Sequence, residues 1–163
     1  MKKRILILCT AAVLLLLGGC GTPAKEETPV SDAPASLREK VNMICEDAGD
    51  LAPLDAEDME DVTGIVPEDC REFVFLQSLG MDGREIMAVR AADKDAAERV
   101  AALAEKYLER RMKETRNYAP EAYQLLSETK VRTKNLTIVL AVGTNATKEA
   151  DYILAGERKK MSG

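Results

Sequence analysis

This chain of 163 residues contains four cysteines, whose thiols could take part in covalent chemistry, and no histidine to activate them. Without histidine there is no Ser-His-Asp or Cys-His relay to activate a nucleophile, and no imidazole ligand for a metal ion. The chain also lacks tryptophan and has only four Tyr and two Phe, which leaves little surface for stacking sugars or bases. We therefore expect no cofactor and no metal site.

A short leader with cations followed by apolar residues precedes the second cysteine. Three cations at positions 2–4 come before an uncharged, mostly apolar stretch at residues 5–17. This stretch is too short to cross a hydrocarbon core, which needs about 20 helical residues, so it indicates a secretory signal peptide. The leader ends in an aliphatic residue, two small residues and a cysteine, which resembles the lipobox of bacterial lipoproteins: Leu17, Gly18, Gly19 and Cys20.

The lipobox resemblance implies that a signal peptidase recognises Leu17, Gly18 and Gly19, and that the Cys20 thiol takes a diacylglycerol before cleavage. It also allows a further acyl chain, such as palmitate, on the new amino terminus. Two acyl chains anchor a protein stably where one does not. Loss of the three leader cations takes the net charge from −5 to −8, so an anionic membrane would not attract the remaining chain. If Cys20 merely ended an ordinary signal peptide, Cys20→Ala would leave membrane association unchanged.

The composition along the chain predicts four segments. Residues 21–36 contain three prolines and one large apolar side chain, Val30, so they cannot bury a core and are expected to be a disordered tether. Such a tether spans roughly 20–25 Å as a coil and about 50 Å when extended. We predict a lipoprotein signal peptide at 1–19, the lipidated cysteine and tether at 20–36, a single globular domain at 37–158 and a frayed tail at 159–163.

Hydrophobic periodicity in the globular part predicts an α+β fold, a two-layer sandwich of antiparallel hairpins packed against helices. Ser36 and Glu39 have the spacing of a capping box at the start of a helix. The stretch from residue 50 to residue 67 is acidic and broken by Pro and Gly, so we expect irregular structure there, with room for one helical turn. The remaining predicted strands are at 73–79 and 85–91, around a Met81-Asp82-Gly83 turn, and at 130–133 and 136–142. The remaining predicted helices are a long one from Asp93 or Asp95 to about 117, a short one that starts in 118–121 and runs through 126, and a last one from 145 or 147.

Three runs of the sequence resemble a family of Firmicutes lipoproteins known as domain-of-unknown-function family 4358. They are EFVFLQSLGMDGREIMAVRAADKDAAERVAALAEKYLERR, YAPEAYQLLSETKV and NLTIVLAVGTNA, and the resemblance covers roughly residues 37–155. The sequence features that carry this resemblance are the acidic start of the long helix, the arginines near its end and the Tyr-x-Pro that begins at Tyr118. The family implies an envelope-exposed lipoprotein and brings no activity, substrate or catalytic residue.

Cys45 and Cys70 are the cysteines that remain outside the leader and its lipidation site. Two cysteines are not the dense framework of a small secreted scaffold, although the compartment permits a disulfide. A pair of buried free thiols, a disulfide between them and a reactive thiol therefore stay open. The reactive thiol is the least favoured, because there is no histidine to activate a thiolate.

Arg110, Arg111 and Arg116 are concentrated where the long predicted helix ends, next to Tyr118. Cations at the carboxyl end of a helix complement its macrodipole, which is the simpler interpretation. The functional alternative is a weak patch that binds an anion or docks a partner. The acidic run at residues 55–61 lacks the central Gly and terminal Glu of an EF-hand loop, so we interpret it as a solvated loop.

We predict from these features a lipid-anchored protein on the extracytoplasmic face of the cell membrane, whose domain is a non-enzymatic protein-interaction module of the envelope. Its partners would be the membrane, through lipidated Cys20, and an unidentified envelope protein. The net charge of −5 argues against nucleic acid. The alternative is a carboxylate-based envelope hydrolase or an accessory to surface-polymer modification. Such a hydrolase needs two carboxyls about 5–9 Å apart in a cleft, which a sequence does not show.

Overall fold

The computed structural model describes residues 35–45 and 51–155. The predicted leader with Leu17, Gly18 and Gly19, the lipidation site Cys20, most of the tether and the frayed tail lie outside these residues. The predicted capping box is confirmed at the start of the described chain. The Ser36 side chain accepts a hydrogen bond from the Glu39 N–H at 3.1 Å, and the Glu39 carboxylate accepts one from the Ser36 N–H at 2.8 Å.

Within the described residues five strands form one antiparallel sheet: β1 (Leu51–Leu54), β2 (Cys70–Ser78), β3 (Glu85–Ala91), β4 (Arg132–Lys134) and β5 (Thr137–Val142). Their order across the sheet is β1-β2-β3-β5-β4. β2 and β3 pair as a hairpin in which Gln77 lies opposite Glu85. β5 pairs with the other edge of β3 and places Val142 opposite Glu85. β3 is therefore the central strand.

The same residues form five α-helices and one short 3₁₀ turn. The bounds are α1 (Leu37–Ile44), α2 (Ala56–Thr63), the 3₁₀ turn (Pro67–Asp69), α3 (Lys94–Thr115), α4 (Pro120–Glu128) and α5 (Ala146–Leu154). Together with the antiparallel sheet, these helices confirm the predicted α+β class.

Helices cover both faces of the sheet. On one face Met87 and Val89 of β3 pack in a core with side chains of α2, α3 and α4. On the other face Ile86 and Ala88 pack in a second core with side chains of α1 and α5. The result is three layers, one more than in the expected two-layer sandwich. The physical reason is that β3 is apolar on both of its pleat faces, so each face requires a cover.

Between residues 50 and 67, where we expected irregular structure, the structure shows β1 and α2. β1 is a four-residue edge strand in register with β2, and Leu54 lies opposite Phe75. Its proline is exposed, as is usual for a proline in an edge strand. The carboxylate of Asp55 caps α2 by accepting a hydrogen bond from the Asp58 N–H at 2.9 Å. The acidic run is therefore largely a capped helix and not a loop.

α3 runs back along β3 and places polar groups at both ends of the sheet. It begins after Asp93, whose carboxylate accepts a hydrogen bond from the backbone N–H three residues later at 2.8 Å. Near its start Arg99 bonds to Asp69, which lies just before β2. Near its end Arg111 lies beside Glu85, the first residue of β3. The predicted cap at Asp93 is confirmed, and the helix ends two residues before the predicted position.

Candidate functional site

The tip of the β2–β3 hairpin, residues 79–84, presents apolar side chains to solvent. Leu79 is 84% exposed and Met81 is 69% exposed, the two highest values among the large apolar side chains that the structure describes. Single exposed apolar residues are ordinary on protein surfaces. Two of them on one short tip form a patch, and patches of this kind are typical of interaction sites.

Hydrogen bonds within the hairpin tip hold its backbone in one conformation. The Ser78 N–H donates to the Arg84 carbonyl at 2.9 Å, and the Gly80 N–H donates to the Ser78 hydroxyl oxygen at 3.0 Å. The Arg84 N–H donates to the Asp82 carboxylate at 3.1 Å. A hydrogen bond from the Ser78 side chain is the main cause that lowers the pKa of Asp82, so this acceptor is ionised and available.

Gly83 allows the backbone of the hairpin tip to pack closely against α4. Its φ of 72° is in the left-handed region, as the predicted Asp-Gly turn requires. A Cβ atom at this position would lie 2.8 Å from the Cβ of Ala122, which is closer than real Cβ atoms approach. The backbone of the tip therefore lies directly on the helix, and only glycine permits both the conformation and the contact.

A buried polar cluster closes the base of the same hairpin. We call Gln77, Glu85, Tyr107 and Arg111 the hairpin-base network. The Tyr107 hydroxyl donates to Glu85 Oε2 at 2.6 Å, and Gln77 Nε2 donates to the same oxygen at 3.2 Å. Gln77 Nε2 also lies 3.1 Å from the Tyr107 oxygen. Arg111 Nε is 3.7 Å from Glu85 Oε2, close enough for charge attraction. The network thus joins β2, β3 and α3.

The electrostatics of the hairpin-base network are dominated by burial. Glu85 is 0% exposed, and this burial raises its pKa, although Tyr107, Arg111 and Gln77 each oppose the rise. The pKa of Tyr107 is also raised, first by burial and then by the nearby Glu85. Within the described part of the chain, Glu85 Oε1 and Arg111 Nε are buried and have no hydrogen-bond partner. The network therefore satisfies one carboxylate oxygen and leaves the other without a donor.

The Tyr107 ring adds apolar and cation contacts around the network. It meets Phe75 edge-to-face with ring centroids 5.8 Å apart, and the guanidinium carbon of Arg110 lies 5.6 Å from its centroid. Such aromatic pairs contribute about 0.5–1.5 kcal/mol beyond the area they bury. Tyr107 is thus the side chain on which the packing and the polar contacts of this end of α3 converge.

The arginines that the sequence concentrates near the end of α3 have three different surroundings. Arg110 donates to the Val62 carbonyl and pairs with Glu114 at 3.6 Å. Arg111 points to Glu85, as described above. Arg116 lines a cleft of about 200 Å³ with side chains of α3 and α4. Tyr118 is 60% exposed in the turn between these helices. Successive helical residues diverge by about 100°, so neighbours in the sequence reach different partners.

Cys45 and Cys70 are free thiols, both half-buried. Cys70 packs against the core that contains α3, whereas Cys45 packs against the core that contains α1 and α5, so the sheet separates them. Burial, followed by Asp69 and Glu68, raises the pKa of Cys70 to about 11. Burial and Glu149 raise the pKa of Cys45, and Arg84 opposes the rise. Neither environment favours the reactive thiolate.

Asp69 and Glu85 are the buried carboxyls of the described chain. Their arginine partners, Arg99 and Arg111, are twelve residues apart on α3, which corresponds to about 18 Å at 1.5 Å per residue. A hydrolytic carboxylate pair requires about 5–9 Å, so these two do not form one. Over residues 35–45 and 51–155 no group of three or more His, Cys, Asp or Glu could hold a metal ion. In the same residues no helix has the length and apolar character needed to cross a membrane.

The hairpin and α3, which carry these groups, lie inside the segment of the chain that matches a family model. The model is described as "Domain of unknown function (DUF4358)", and it matches residues 45–143. The chain belongs to the DUF4358 family. Searches of curated proteins and of solved structures returned no significant match to it. The DUF4358 match includes the hairpin tip, its base and the whole of α3.

Sequence reasoning did not single out Gln77, Glu85 or Tyr107 of this DUF4358 domain. One signal was available in the alternation of β3. Glu85 lies two residues before Met87 and therefore on the same face, the face that packs against α3. A carboxylate at an inward position of a central strand requires polar partners from a neighbouring element. Which helix residue supplies them depends on how α3 crosses the sheet, and no local pattern contains that information.

Proposed function

We propose that this DUF4358 protein is a lipid-anchored lipoprotein of the cell envelope that binds another envelope protein through the tip of its β2–β3 hairpin. The observation that carries the proposal is the exposed pair Leu79 and Met81 on a tip whose backbone is fixed. Binding costs less entropy when the contact residues are already ordered. That order comes from the hydrogen bonds around Ser78 and Asp82, from the close contact of Gly83 with α4 and from the hairpin-base network.

The position of the tip favours a protein partner over the membrane. The chain enters the domain at Leu37, whose N–H donates to the Glu72 carboxylate at 2.6 Å. Glu72 lies opposite Arg90, whereas the tip follows the Gln77–Glu85 pair at the other end of the hairpin. Five strand residues separate the two ends, about 17 Å at 3.3–3.4 Å per residue. The tip therefore lies at the end of the hairpin opposite the residue at which the chain from Cys20 joins the domain.

The anchor follows from the lipobox pattern at Leu17, Gly18, Gly19 and Cys20. The wild-type protein should be found in the membrane fraction of the producing cell, and its mature amino-terminal peptide should carry the mass of a diacylglyceryl cysteine. Cys20→Ala should abolish both the lipid mass and the membrane association. Membrane association that survives in Cys20→Ala, with an unmodified amino-terminal peptide in the wild type, would contradict the anchor.

The binding surface is tested by site-specific crosslinking in whole cells. A photoreactive amino acid at position 81 should crosslink one protein of the envelope. With the photoreactive group at position 80, the chain that keeps Leu79 and Met81 should give the same product, and the double variant Leu79→Ser/Met81→Ser should lose it. The matched control is Met43→Ser/Tyr152→Ser, which removes the exposed apolar pair on α1 and α5, 59% and 43% exposed. This control should retain the crosslink.

Two outcomes would overturn the proposed surface. One is a crosslink from position 81 to lipid only, which would make the tip a membrane contact. The other is equal loss of the product in the tip variant and in the control, which would show that exposed apolar area in general, and not the hairpin tip, produces the capture. Both double variants change solvent-exposed side chains, so each should remain folded, with stability within about 0.5 kcal/mol per site of the wild type.

A further inference from the structure

The hairpin-base network contains an ionisable carboxyl where a stable core would have an apolar residue. Glu85 shares the α3 face of β3 with Met87 and Val89 and is 0% exposed. Burying a charged pair with incomplete hydrogen bonding is generally no better for stability than apolar packing. One oxygen of Glu85 has no donor, and Arg111 Nε has no hydrogen-bond acceptor within the described residues. Stability alone therefore does not account for this carboxyl.

The geometry treats the two protonation states of Glu85 differently. When the carboxyl is neutral, its burial carries no charge penalty, and Oε2 still meets Tyr107 and Gln77. When it is ionised, the charge is spread over both oxygens, yet Oε1 has no donor and Arg111 is 3.7 Å from Oε2 without a hydrogen bond. Opening the hairpin base away from α3 would admit water to Oε1 and relieve that cost.

The groups that face Glu85 leave it as the titrating member of the network. From α3 it meets the Arg111 guanidinium and the Tyr107 phenol, and the raised pKa of Tyr107 keeps that phenol neutral. From β2 it meets the neutral Gln77, and from β5 the apolar Val142 lies opposite in register. The raised pKa of Glu85 moves its ionisation above the pH range of an ordinary carboxyl.

We propose that the hairpin-base network is a proton-operated latch, in which protonated Glu85 holds the hairpin closed on α3 and ionised Glu85 lets its base and tip loosen. The latch regulates the surface of the proposed function, and its effect on partner binding rests on that function. Leu79 and Met81 follow β2 directly, and the tip ends at Arg84, next to Glu85. Ordering of the base is thus transmitted to the tip by a few residues of backbone.

Hydrogen exchange measured by mass spectrometry tests the latch without any partner. The full chain in detergent micelles is exchanged at a series of pH values, and peptides covering residues 77–86 are corrected for intrinsic exchange. In the wild type the opening equilibrium should rise about tenfold per pH unit between the pKa of Glu85 in the open hairpin and its raised pKa in the closed one. Glu85→Gln should abolish this pH dependence.

Two further variants sharpen the exchange experiment. Glu105→Gln, an exposed change on the same helix, should behave as the wild type. Tyr107→Phe removes a donor to the charged form of Glu85, so it should shift the wild-type transition to higher pH. This shift of the transition tests the latch even if Glu85→Gln does not fold. A pH-independent hairpin in the wild type, or an unchanged transition in Tyr107→Phe, would overturn the latch.

The latch and the proposed binding surface fail in different ways. If hydrogen exchange of the hairpin does not depend on pH but the crosslink still requires Leu79 and Met81, the latch is contradicted and the binding surface is supported. A hairpin that opens with pH, together with a crosslink that the tip variant does not reduce, supports the latch and removes the binding surface.

Discussion

The two ends of α3 each join an arginine to a buried carboxyl, and the two pairs behave in opposite ways. At the start of the helix, Arg99 donates from Nε to Asp69 Oδ2 at 3.0 Å and from its Nη2 to the other oxygen, while its own side chain is 56% exposed. At the end, Arg111 approaches Glu85 without a hydrogen bond, and Glu85 is fully buried. The pKa of Asp69 is lowered, whereas that of Glu85 is raised.

The comparison shows that geometry, not the presence of opposite charges, sets the direction of a pKa shift. Two donors on the carboxylate of Asp69 favour its charged form more than partial burial disfavours it. Complete burial of Glu85 raises its pKa more than Tyr107, Arg111 and Gln77 together lower it. By linkage, the Asp69 end stabilises the fold above the acid range, whereas the Glu85 end stabilises it when Glu85 carries its proton.

The largest expected loss of stability comes from removing Tyr107, whose side chain contacts Glu85 near the end of α3. Tyr107→Ala should lower the free energy of unfolding by about 3–5 kcal/mol, because a buried aromatic ring is lost together with its contact to Phe75. Urea unfolding followed by circular dichroism measures this change. Tyr118→Ala is the control, and it should stay within about 0.5 kcal/mol of the wild type because Tyr118 is exposed. Equal losses in the two variants would contradict the central role of Tyr107.

The contact between the hairpin tip and α4 is tested by adding a methyl group at Gly83. Gly83→Ala should cost about 2 kcal/mol, since it combines a positive φ with a contact of 2.8 Å to Ala122. Gly80→Ala is matched in chemistry and lies in the same tip, but its nearest neighbour would be the Ser78 hydroxyl at 3.4 Å. It should be nearly neutral in the same unfolding assay. A similar cost at both glycines would mean that the tip does not rest on α4.

The difference in unfolding free energy between the wild type and Glu85→Gln should depend on pH. The folded pKa of Glu85 is raised above its ordinary 4.5, so its stabilisation is present below that value and lost as the pH rises through the folded pKa. The unfolding free energy of the wild type should therefore fall relative to Glu85→Gln as the pH rises, by at most about 1.4 kcal/mol per pH unit. Chemical denaturation between pH 4 and 8 checks the slope, and a constant difference would contradict it.

The smallest effect on stability is expected from Asp69, near the start of α3. Its contribution to stability changes with pH in the opposite direction to that of Glu85. The folded pKa of Asp69 is lowered below its ordinary 3.8, so its stabilisation is present above that value and lost as the pH falls through the folded pKa. Asp69→Asn should flatten the acid side of the stability curve and leave the slope above pH 5 unchanged. If Asp69→Asn altered the neutral slope as Glu85→Gln does, the two ends would not be distinct.

Local chemistry in the sequence was sufficient for the elements that are fixed by neighbours along the chain. Ser36 and Glu39, and Asp93 at the start of α3, act as their spacing predicts, and Gly83 has the positive φ expected of its turn. β1 was missed because its pairing is non-local. Leu51 becomes a strand residue only through its register with Ser78, which lies 27 positions later in the chain.

The amino-acid sequence is sufficient to predict the α+β class, the caps and the hairpin, because each depends on residue types at fixed short spacing. It also marks Cys20 as a site for lipidation, which stays a prediction. Only the tertiary structure decided that helices cover both faces of the sheet, that Cys45 and Cys70 lie on opposite sides of it, and that Tyr107 and Arg111 meet Glu85. Tyr107 and Arg111 lie 22 and 26 positions after Glu85, so their contact with it depends on how α3 packs across β3 and not on local spacing.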